Sequence, residues 1–141
     1  MKQLILNLSF LLLPLLCMGQ SEDVTGRWYT ENNAGIVEVY IENGVCNGKL
    51  ISLAEPNDAN GQPLKDVKNK EKSLRSRPLV GVFILKDLKL VDNVWKGGKV
   101  YDPESGNTYN CTIKKEGGLL HVRGSIGPFG KTTKWKPAPA K

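Results

Sequence analysis

The chain has 141 residues, of which 20 are lysine or arginine, 14 are acidic and one is histidine, so its formal net charge is +6. The lysines form no basic run with interleaved aromatic residues, which argues against nucleic acid as a partner. The length suits one compact domain rather than two.

The N-terminal residues predict a secretory signal peptide. Lys2 precedes an apolar run, residues 4–16, that is too short to span a bilayer comfortably, and cleavage after Gly19 would leave tolerated residues at the recognition positions. A leucine precedes Cys17, so lipid attachment there is not expected. We expect residues 1–19 to be removed and the protein, at net charge +5 without Lys2, to be exported to the periplasm or outside the cell.

The rest of the chain alternates with a period of two, which indicates β-strands. Val37, Val39 and Ile41 alternate with polar neighbours up to Asn43-Gly44, a pair that supplies the positive φ of a tight hairpin. Strands are predicted near residues 25–30, 35–42, 45–53, 79–86, 94–101, 107–115, 118–126 and 131–136. The predicted fold class is all-β, a single antiparallel meander of about eight strands closed into a small barrel, with a sandwich as the alternative.

One connection is much longer than the others. Residues 54–78 are rich in turn formers and charge and contain at most one helical turn, near residues 71–74. Structureless loops of this length are uncommon in compact domains and tend to be functional or disordered. We expect the barrel domain to span residues 20–136, and residues 137–141 to form a disordered tail because prolines cannot donate to a ladder.

Two cysteines, Cys46 and Cys111, remain after cleavage. The alternation turns both inward, and an oxidising compartment would permit a disulfide between them. Two separate buried thiols are the alternative, since nothing in the sequence brings their Cα atoms within the roughly 4.4–6.8 Å that a bridge requires.

Residues suited to catalysis or metal binding are few. His121 is the only histidine and alternates with Leu120 and Val122, so we expect it to be solvated rather than a base or a ligand. No second histidine, Cys-x-x-Cys pair or carboxylate cluster completes a metal site or activates a nucleophile. Asp102 is predicted to be a turn residue. We expect no metal, no cofactor and no enzyme activity, and the one conceivable catalytic centre is Asp66 or Asp102 beside an arginine.

The four arginines are more informative, because the chain uses lysine sixteen times. A guanidinium makes planar, forked contacts and keeps its charge when partly buried. Arg75 and Arg77 lie just before Pro78 and an apolar run. Either they bond carbonyls and carboxylates such as Asp66 or Glu55 and lock the long loop against the barrel, or they face its mouth and bind a carboxylate or phosphate head group. We favour the structural role.

Several segments in order, GRWYTENNAGIVEVYIENGVCNGKL, LRSRPLVG, WKGGKVYDPESGNTY and VRGSIG, resemble the bacterial domain-of-unknown-function family 2147. The resemblance covers residues 24–136. That family consists of small exported proteins without an established activity. The resemblance therefore implies the compartment and the fold and leaves the function open.

A second resemblance is to the lipocalin and calycin barrels, which carry Gly-x-Trp on the first strand and a late arginine packed across that tryptophan. Gly26 and Trp28 match the opening, and Arg123, beside a Gly124 that admits close backbone approach, is the candidate arginine. The resemblance implies a calycin-like barrel with Trp28 at its closed end, where a guanidinium over the indole contributes roughly 0.5–2 kcal/mol. The chain is shorter than lipocalins and places its long loop after the third strand.

Two functions follow as hypotheses. The first is a non-catalytic barrel that binds a small amphipathic or anionic ligand at the mouth near residues 54–78, through Arg75, Arg77, Asp66 and Arg123. The second is an envelope-associated module whose barrel is filled by its own side chains and whose loops contact another protein or a glycan. We expect a monomer without a transmembrane segment in either case. A filled interior would favour the second hypothesis.

Overall fold

The structure is a computed structural model that describes residues 22–140, so the predicted signal peptide lies outside the described residues. Eight antiparallel strands form one closed barrel in chain order, with the first strand paired to the last. The strands are β1 Gly26–Tyr29, β2 Gly35–Glu42, β3 Val45–Leu53, β4 Phe83–Val91, β5 Val94–Asp102, β6 Asn107–Glu116, β7 Leu119–Ile126 and β8 Phe129–Pro137. The predicted meander and its closure are confirmed.

The alternation in the sequence decides which side chains face the interior. In β2 the inward Val37 and Val39 are buried, whereas the intervening Glu38 is only half-buried. The turn that follows has positive φ at both Asn43 and Gly44, which is the conformation a two-residue hairpin requires. The alternation and the burial agree as far as Val39, whereas Ile41, next to the turn, is exposed.

The barrel end that carries the turns at 43–44, 92–93 and 117–118 is filled by side chains, and we call it the closed end. The indole Nε1 of Trp28 donates a 3.0 Å hydrogen bond to the carbonyl of Val24, and both residues are buried. Apolar side chains from the surrounding strands pack in the same core: Val39, Cys46, Leu88, Trp95, Ile113 and Leu120. The opposite end, where the other four connections lie, is the open end.

The fourth strand begins later than predicted. It spans Phe83–Val91 rather than residues 79–86. Gly81 adopts φ +102°, which turns the chain, although its N–H still donates to the carbonyl of Leu50 at 2.7 Å. The apolar run at this point has no alternation, so its sequence gave no register from which to place the strand.

The long loop, residues 54–82, is ordered by short bridges and turns. Isolated β-bridges join Asn57 to Pro63 and Lys65 to Pro78. Pro78 therefore lies in a bridge within the loop instead of starting β4. Between residues 22 and 140 the helical segments are two 3-10 turns, Glu31–Asn33 and Lys72–Leu74, and neither is long or apolar enough to cross a membrane.

The last strand runs one residue beyond the predicted domain boundary. Pro137 pairs with Trp28 at the seam between β1 and β8, and the N–H of Ala138 donates to the carbonyl of Arg27 at 2.8 Å. Proline is tolerated there because the position is the end of a strand. The C-terminal segment is thus tied to β1 as far as Ala138.

Candidate functional site

The open end of the barrel contains a cavity of about 1100 Å³. Pockets for drug-sized ligands reach about 1,000 Å³, so the space is sufficient for a small molecule. Its inner wall is mainly apolar and comes from β3, β4, β5, β7 and β8: Leu50, Ile84, Val100, Val122, Thr133 and Trp135. The loops at the open end form its mouth.

Gly124 is part of the cavity wall. A Cβ built there would lie 3.4 Å from Val100 Cγ1 and 3.5 Å from Tyr109 Cβ, which is ordinary van der Waals contact. A methyl group would therefore fit at this position, whereas a longer side chain would have to occupy cavity space. Because glycine has no side chain, this part of the wall leaves space for the cavity.

The charged side chains around the mouth are mainly acidic. They are Glu31, Glu55, Asp102 and Glu104, with Lys131 as the one cation among the lining residues of the described chain. Lys131 Nζ lies 3.6 Å from the carboxylate of Glu31. Asp102 also holds its own turn, where Oδ1 accepts from the N–H of Glu104 at 3.0 Å. The mouth is therefore electronegative although the whole chain is basic.

Asp66 fastens the long loop to the barrel. Its buried carboxylate accepts hydrogen bonds from Arg77 Nε and Asn69 Nδ2, both at 2.9 Å, and from the hydroxyl of Tyr101 on β5 at 2.5 Å. Arg77 Nη2 lies a further 2.9 Å from the same carboxylate. A buried charge is tolerated when it is paired and fully hydrogen-bonded, as here. We call these four residues the Asp66 cluster.

Tyr101 connects the Asp66 cluster to the cavity. Its side chain lines the cavity while its hydroxyl donates to Asp66. Burial of the phenol, together with the hydrogen bond to the Asp66 carboxylate and its charge, raises the pKa of Tyr101 to about 12. The phenol is therefore a stable donor at neutral pH rather than a proton acceptor.

Arg75 and Arg77 have structural contacts in the loop and do not line the cavity. Arg75 Nε donates to the carbonyl of Asn69 at 2.7 Å, and the N–H of Asp66 donates to the carbonyl of Arg77 at 3.0 Å. The geometry matches the first of the two roles expected from the sequence. The alternative role, an anion site at these arginines, is not supported, because Asp66 already occupies the fork of Arg77.

Arg123 does not pack across Trp28 as the lipocalin resemblance implies. It is exposed on the outer face of β7, because the neighbouring Gly124 faces the cavity, and its guanidinium lies over Gly130 of β8. The cation over the Trp28 ring is Lys115, whose Nζ is 6.0 Å from the ring centroid. This corrects the expected tryptophan contact, and Arg123 also lies outside the cavity lining.

Gly26 and Trp28 lie where the resemblance implies. Trp28 is buried at the closed end, and Gly26 opens β1 with φ +123°. That conformation is readily adopted only by glycine. The two residues therefore determine how the chain enters the barrel, and neither lines the cavity.

Cys46 and Cys111 are buried free thiols, so the disulfide considered from the sequence is not formed in this structure. Burial raises the pKa of Cys46 to about 11 and that of Cys111 to about 12, with a further contribution at Cys111 from nearby Cys46. Both thiols are protonated at neutral pH. They are therefore weak nucleophiles.

His121, the only histidine of the chain, does not line the cavity. His121 is half-buried on the outer face of β7, in register with Lys114 and Lys134. Among residues 22–140, no three His, Cys, Asp or Glu side chains are grouped to hold a metal ion. The arrangement is suited to holding a molecule by shape, apolar contact and charge.

Sequence reasoning missed the cavity wall. Strand alternation indicates which side chains face inward, but nothing in it separates a filled interior from an empty one. One signal was available: the inward positions of β7 and β8 nearest the open end include Gly124 and Thr133, which are too small to fill the space. Tyr101 and Asn69 of the Asp66 cluster were also missed.

Comparison with known proteins agrees with this fold. A model of the family DUF2147, described as an uncharacterized protein conserved in bacteria, matches residues 26–137. A search of curated proteins found no match. Among solved structures, the chain is similar to protein HP1028 from the human pathogen Helicobacter pylori, described as belonging to the lipocalin family, with a TM-score of 0.71 and 29% identity over 83% of this chain and 84% of that chain. The lipocalin-like barrel is therefore shared with a solved structure, and the chain belongs to the DUF2147 family.

Proposed function

We propose that this protein is a non-catalytic barrel that binds one small amphipathic molecule in the cavity at its open end. The observation that carries the proposal is the cavity of about 1100 Å³, with an apolar inner wall below a polar mouth. Burying an apolar chain against such a wall contributes about 25 cal/mol per Å². Small barrels of this kind hold one small ligand in lipocalins, which agrees with the similarity to HP1028.

The charge of the mouth favours a cationic or neutral head group over an anionic one. Four carboxylates line it, and the one lysine among them is within 3.6 Å of Glu31. The arginines expected to bind an anion are engaged elsewhere, Arg77 by Asp66 and Arg75 by a carbonyl. A bound anion would therefore face repulsion without a compensating fork.

The chemistry beside the cavity supports binding without catalysis. Asp66 is saturated by donors, and the raised pKa of Tyr101, about 12, keeps its phenol protonated. Export, predicted from residues 1–19, would place this binding in the periplasm or outside the cell. Cleavage after Gly19 is checked by N-terminal sequencing of protein isolated from its own host.

The second hypothesis, a filled barrel that contacts a protein or glycan, is less well supported. Its core premise is a filled interior, and this holds only for the closed end. The space at the open end is large enough for a ligand. We therefore retain the small-molecule proposal.

The test uses native mass spectrometry and a series of amphiphiles with the same dodecyl chain: dodecylamine, dodecanol and laurate. We expect one equivalent to bind, in the order amine, alcohol, laurate at neutral pH. If none of the three binds, the proposed function is wrong. If the protein clearly prefers laurate and other anions displace it, the proposed head-group preference is wrong. Protein purified from its own host should retain a molecule of the favoured class.

A matched pair of variants locates the binding. Thr133 lines the cavity, whereas its neighbour Thr132 is exposed and does not. Thr133→Trp should fill the cavity and reduce amine affinity by at least about tenfold, since it removes most of the apolar contact. Thr132→Trp should leave the affinity unchanged. Equal affinities in the two variants would mean that the amphiphile binds outside the barrel.

A further inference from the structure

The β7–β8 hairpin ends in two exposed apolar side chains at the cavity mouth. Ile126 and Phe129 pair directly across the turn formed by Gly127 and Pro128, so they project on the same side. Ile126 is 59% exposed and Phe129 is 79% exposed. Exposing large apolar side chains to water costs free energy. Neither side chain belongs to the hydrophobic core, so packing there does not offset this cost.

The same hairpin has an unusual charge. Residues 119–137 contain no aspartate or glutamate and four cations, Arg123, Lys131, Lys134 and Lys136, all of them exposed. Arg123 places its guanidinium over Gly130, next to Phe129. Lys131 lies 3.6 Å from the carboxylate of Glu31, and Lys134 and Lys136 lie farther along β8 towards the closed end. The cation close to the tip without a carboxylate partner in the described chain is Arg123.

The long loop provides a contrast. It also exposes apolar side chains, Val67 at 64% and Val80 at 46%, but residues 54–78 mix six cations with four carboxylates. The order of the strands places this loop across the open end from the β7–β8 turn. The loop therefore has a net charge of +2 with carboxylates among its cations, whereas the hairpin has four cations and no carboxylate.

We infer that the β7–β8 tip docks on an anionic lipid surface. Phe129 and Ile126 would enter the interfacial region of the bilayer, and the Arg123 guanidinium behind them would face the lipid phosphates. Two side chains bury at most a few hundred Å², whereas a stable protein partner needs about 800 Å² on each side, so a lipid surface fits the tip better. The carboxylates on the other loops confine the contact to this hairpin.

Docking at this position would also orient the barrel. Both tip residues line one side of the cavity mouth, so that side would lie next to the membrane, while the carboxylates on the other sides would be repelled by anionic lipid. An amphipathic molecule could then pass between bilayer and cavity without crossing bulk water. The docking itself does not require an occupied cavity, so it can be tested independently of the proposed function.

The experiment is flotation of the purified protein with two kinds of vesicle, phosphatidylcholine alone and an equimolar mixture of phosphatidylcholine and phosphatidylglycerol. We expect binding to the mixed vesicles that weakens as salt is added and little binding to phosphatidylcholine alone. Ile126→Ser with Phe129→Ser should reduce binding to mixed vesicles by at least about tenfold. Val67→Ser with Val80→Ser is the matched control and should leave it unchanged.

Arg123→Gln separates charge from apolar insertion. One cation near an anionic surface corresponds to a change of about fivefold in affinity, so this variant should lose about that much on mixed vesicles and nothing on phosphatidylcholine. The inference is overturned if the protein does not bind mixed vesicles at low salt, or if the tip and control variants bind equally. It is also overturned if the protein does not bind vesicles and sedimentation shows self-association that depends on Phe129. The tip would then be a contact between copies of the chain.

Discussion

The two ends of the barrel are built from the same eight strands and yet differ in what fills them. At the closed end, Val24, Trp28, Trp95 and Ile113 pack together beneath two-residue turns. At the open end, the inward positions include Gly124 and Thr133, and the connections are longer, so a cavity of about 1100 Å³ remains. Alternation determines which side chains face inward, but their volume decides whether an interior is a core or a binding site.

The largest expected difference between the ends is in the unfolding free energy that is lost when an inward side chain is replaced by alanine. Ile113, which is fully buried, should lose about 2–5 kcal/mol of unfolding free energy on substitution by alanine, because the new void cannot collapse. Val100→Ala removes a side chain that already borders open space and should lose about 1 kcal/mol. Urea unfolding followed by tryptophan fluorescence measures both. Equal losses would mean that the open end is packed as tightly as the closed end.

A smaller effect is expected from the Asp66 cluster, which holds the long loop at the open end. Asp66→Asn leaves Arg77 without its counter-ion. Since the Arg77 side chain is 36% exposed, the loss of unfolding free energy should be about 1–3 kcal/mol, below that of a fully buried pair. Tyr101→Phe should lose about 1 kcal/mol, because only one donor is removed. Amide exchange in the long loop should accelerate in both variants.

Asp58→Asn is the control for this comparison. Asp58 lies in the same loop, is exposed, and its Oδ1 accepts from two backbone N–H groups, a role that an amide oxygen can keep. Its substitution should change stability by less than about 0.5 kcal/mol. If Asp66→Asn were as mild as this control, the loop would be held by its backbone bridges instead of by the carboxylate.

The smallest expected effect is the loss of unfolding free energy in alkaline solution, which can be compared between buried thiols and the Tyr101 phenol. The pKa of Cys46 is raised from 9.0 to about 11 in the closed-end core, and burial raises that of Cys111, in the middle of the barrel, to about 12. A raised folded-state pKa means that stability is fully present below the unfolded value and is lost as pH rises from 9 towards 12. The Cys46→Ala, Cys111→Ala double variant should therefore show a flatter decline of unfolding free energy from pH 9 upwards.

Tyr101→Phe provides the matching measurement at the open end. The pKa of Tyr101 rises from 10.0 to about 12, so its contribution should disappear only above pH 10. Lysines also titrate there, and for this reason the difference from the parent protein is the informative quantity. If the cysteine variant declines as steeply as the parent, burial does not raise the pKa of the thiols, and the barrel core around them is open to water.

Much of the fold could be predicted because strand alternation and turn chemistry are local. The pair Asn43-Gly44 specifies its turn, and the alternation around Val37 specifies which residues are buried. The fourth strand was misplaced where these signals fail. Gly81 turns the chain inside an apolar run, and Asp87, with φ 61°, breaks the pattern within β4.

The candidate site was predicted only in part. The chemistry of the guanidinium group correctly suggested that Asp66 and Arg77 could pair, since forked donors seek carboxylates. The participation of Tyr101 and the position of the cavity depend on which strands meet across the barrel. Arg123 was assigned by resemblance, but its inward or outward direction follows from the parity of β7, and that parity sends it outward.

If the barrel binds a small molecule as proposed, fastening the long loop at Asp66 would also govern how fast that molecule leaves. A loop tied by one buried carboxylate to β5 cannot swing over the mouth as a lid without losing those bonds. Release would then be desorption from an open cup, whose rate falls about fourfold for each additional methylene held against the wall. The protein would exchange short-chain molecules rapidly and hold long-chain ones for longer, so chain length would set the dwell time.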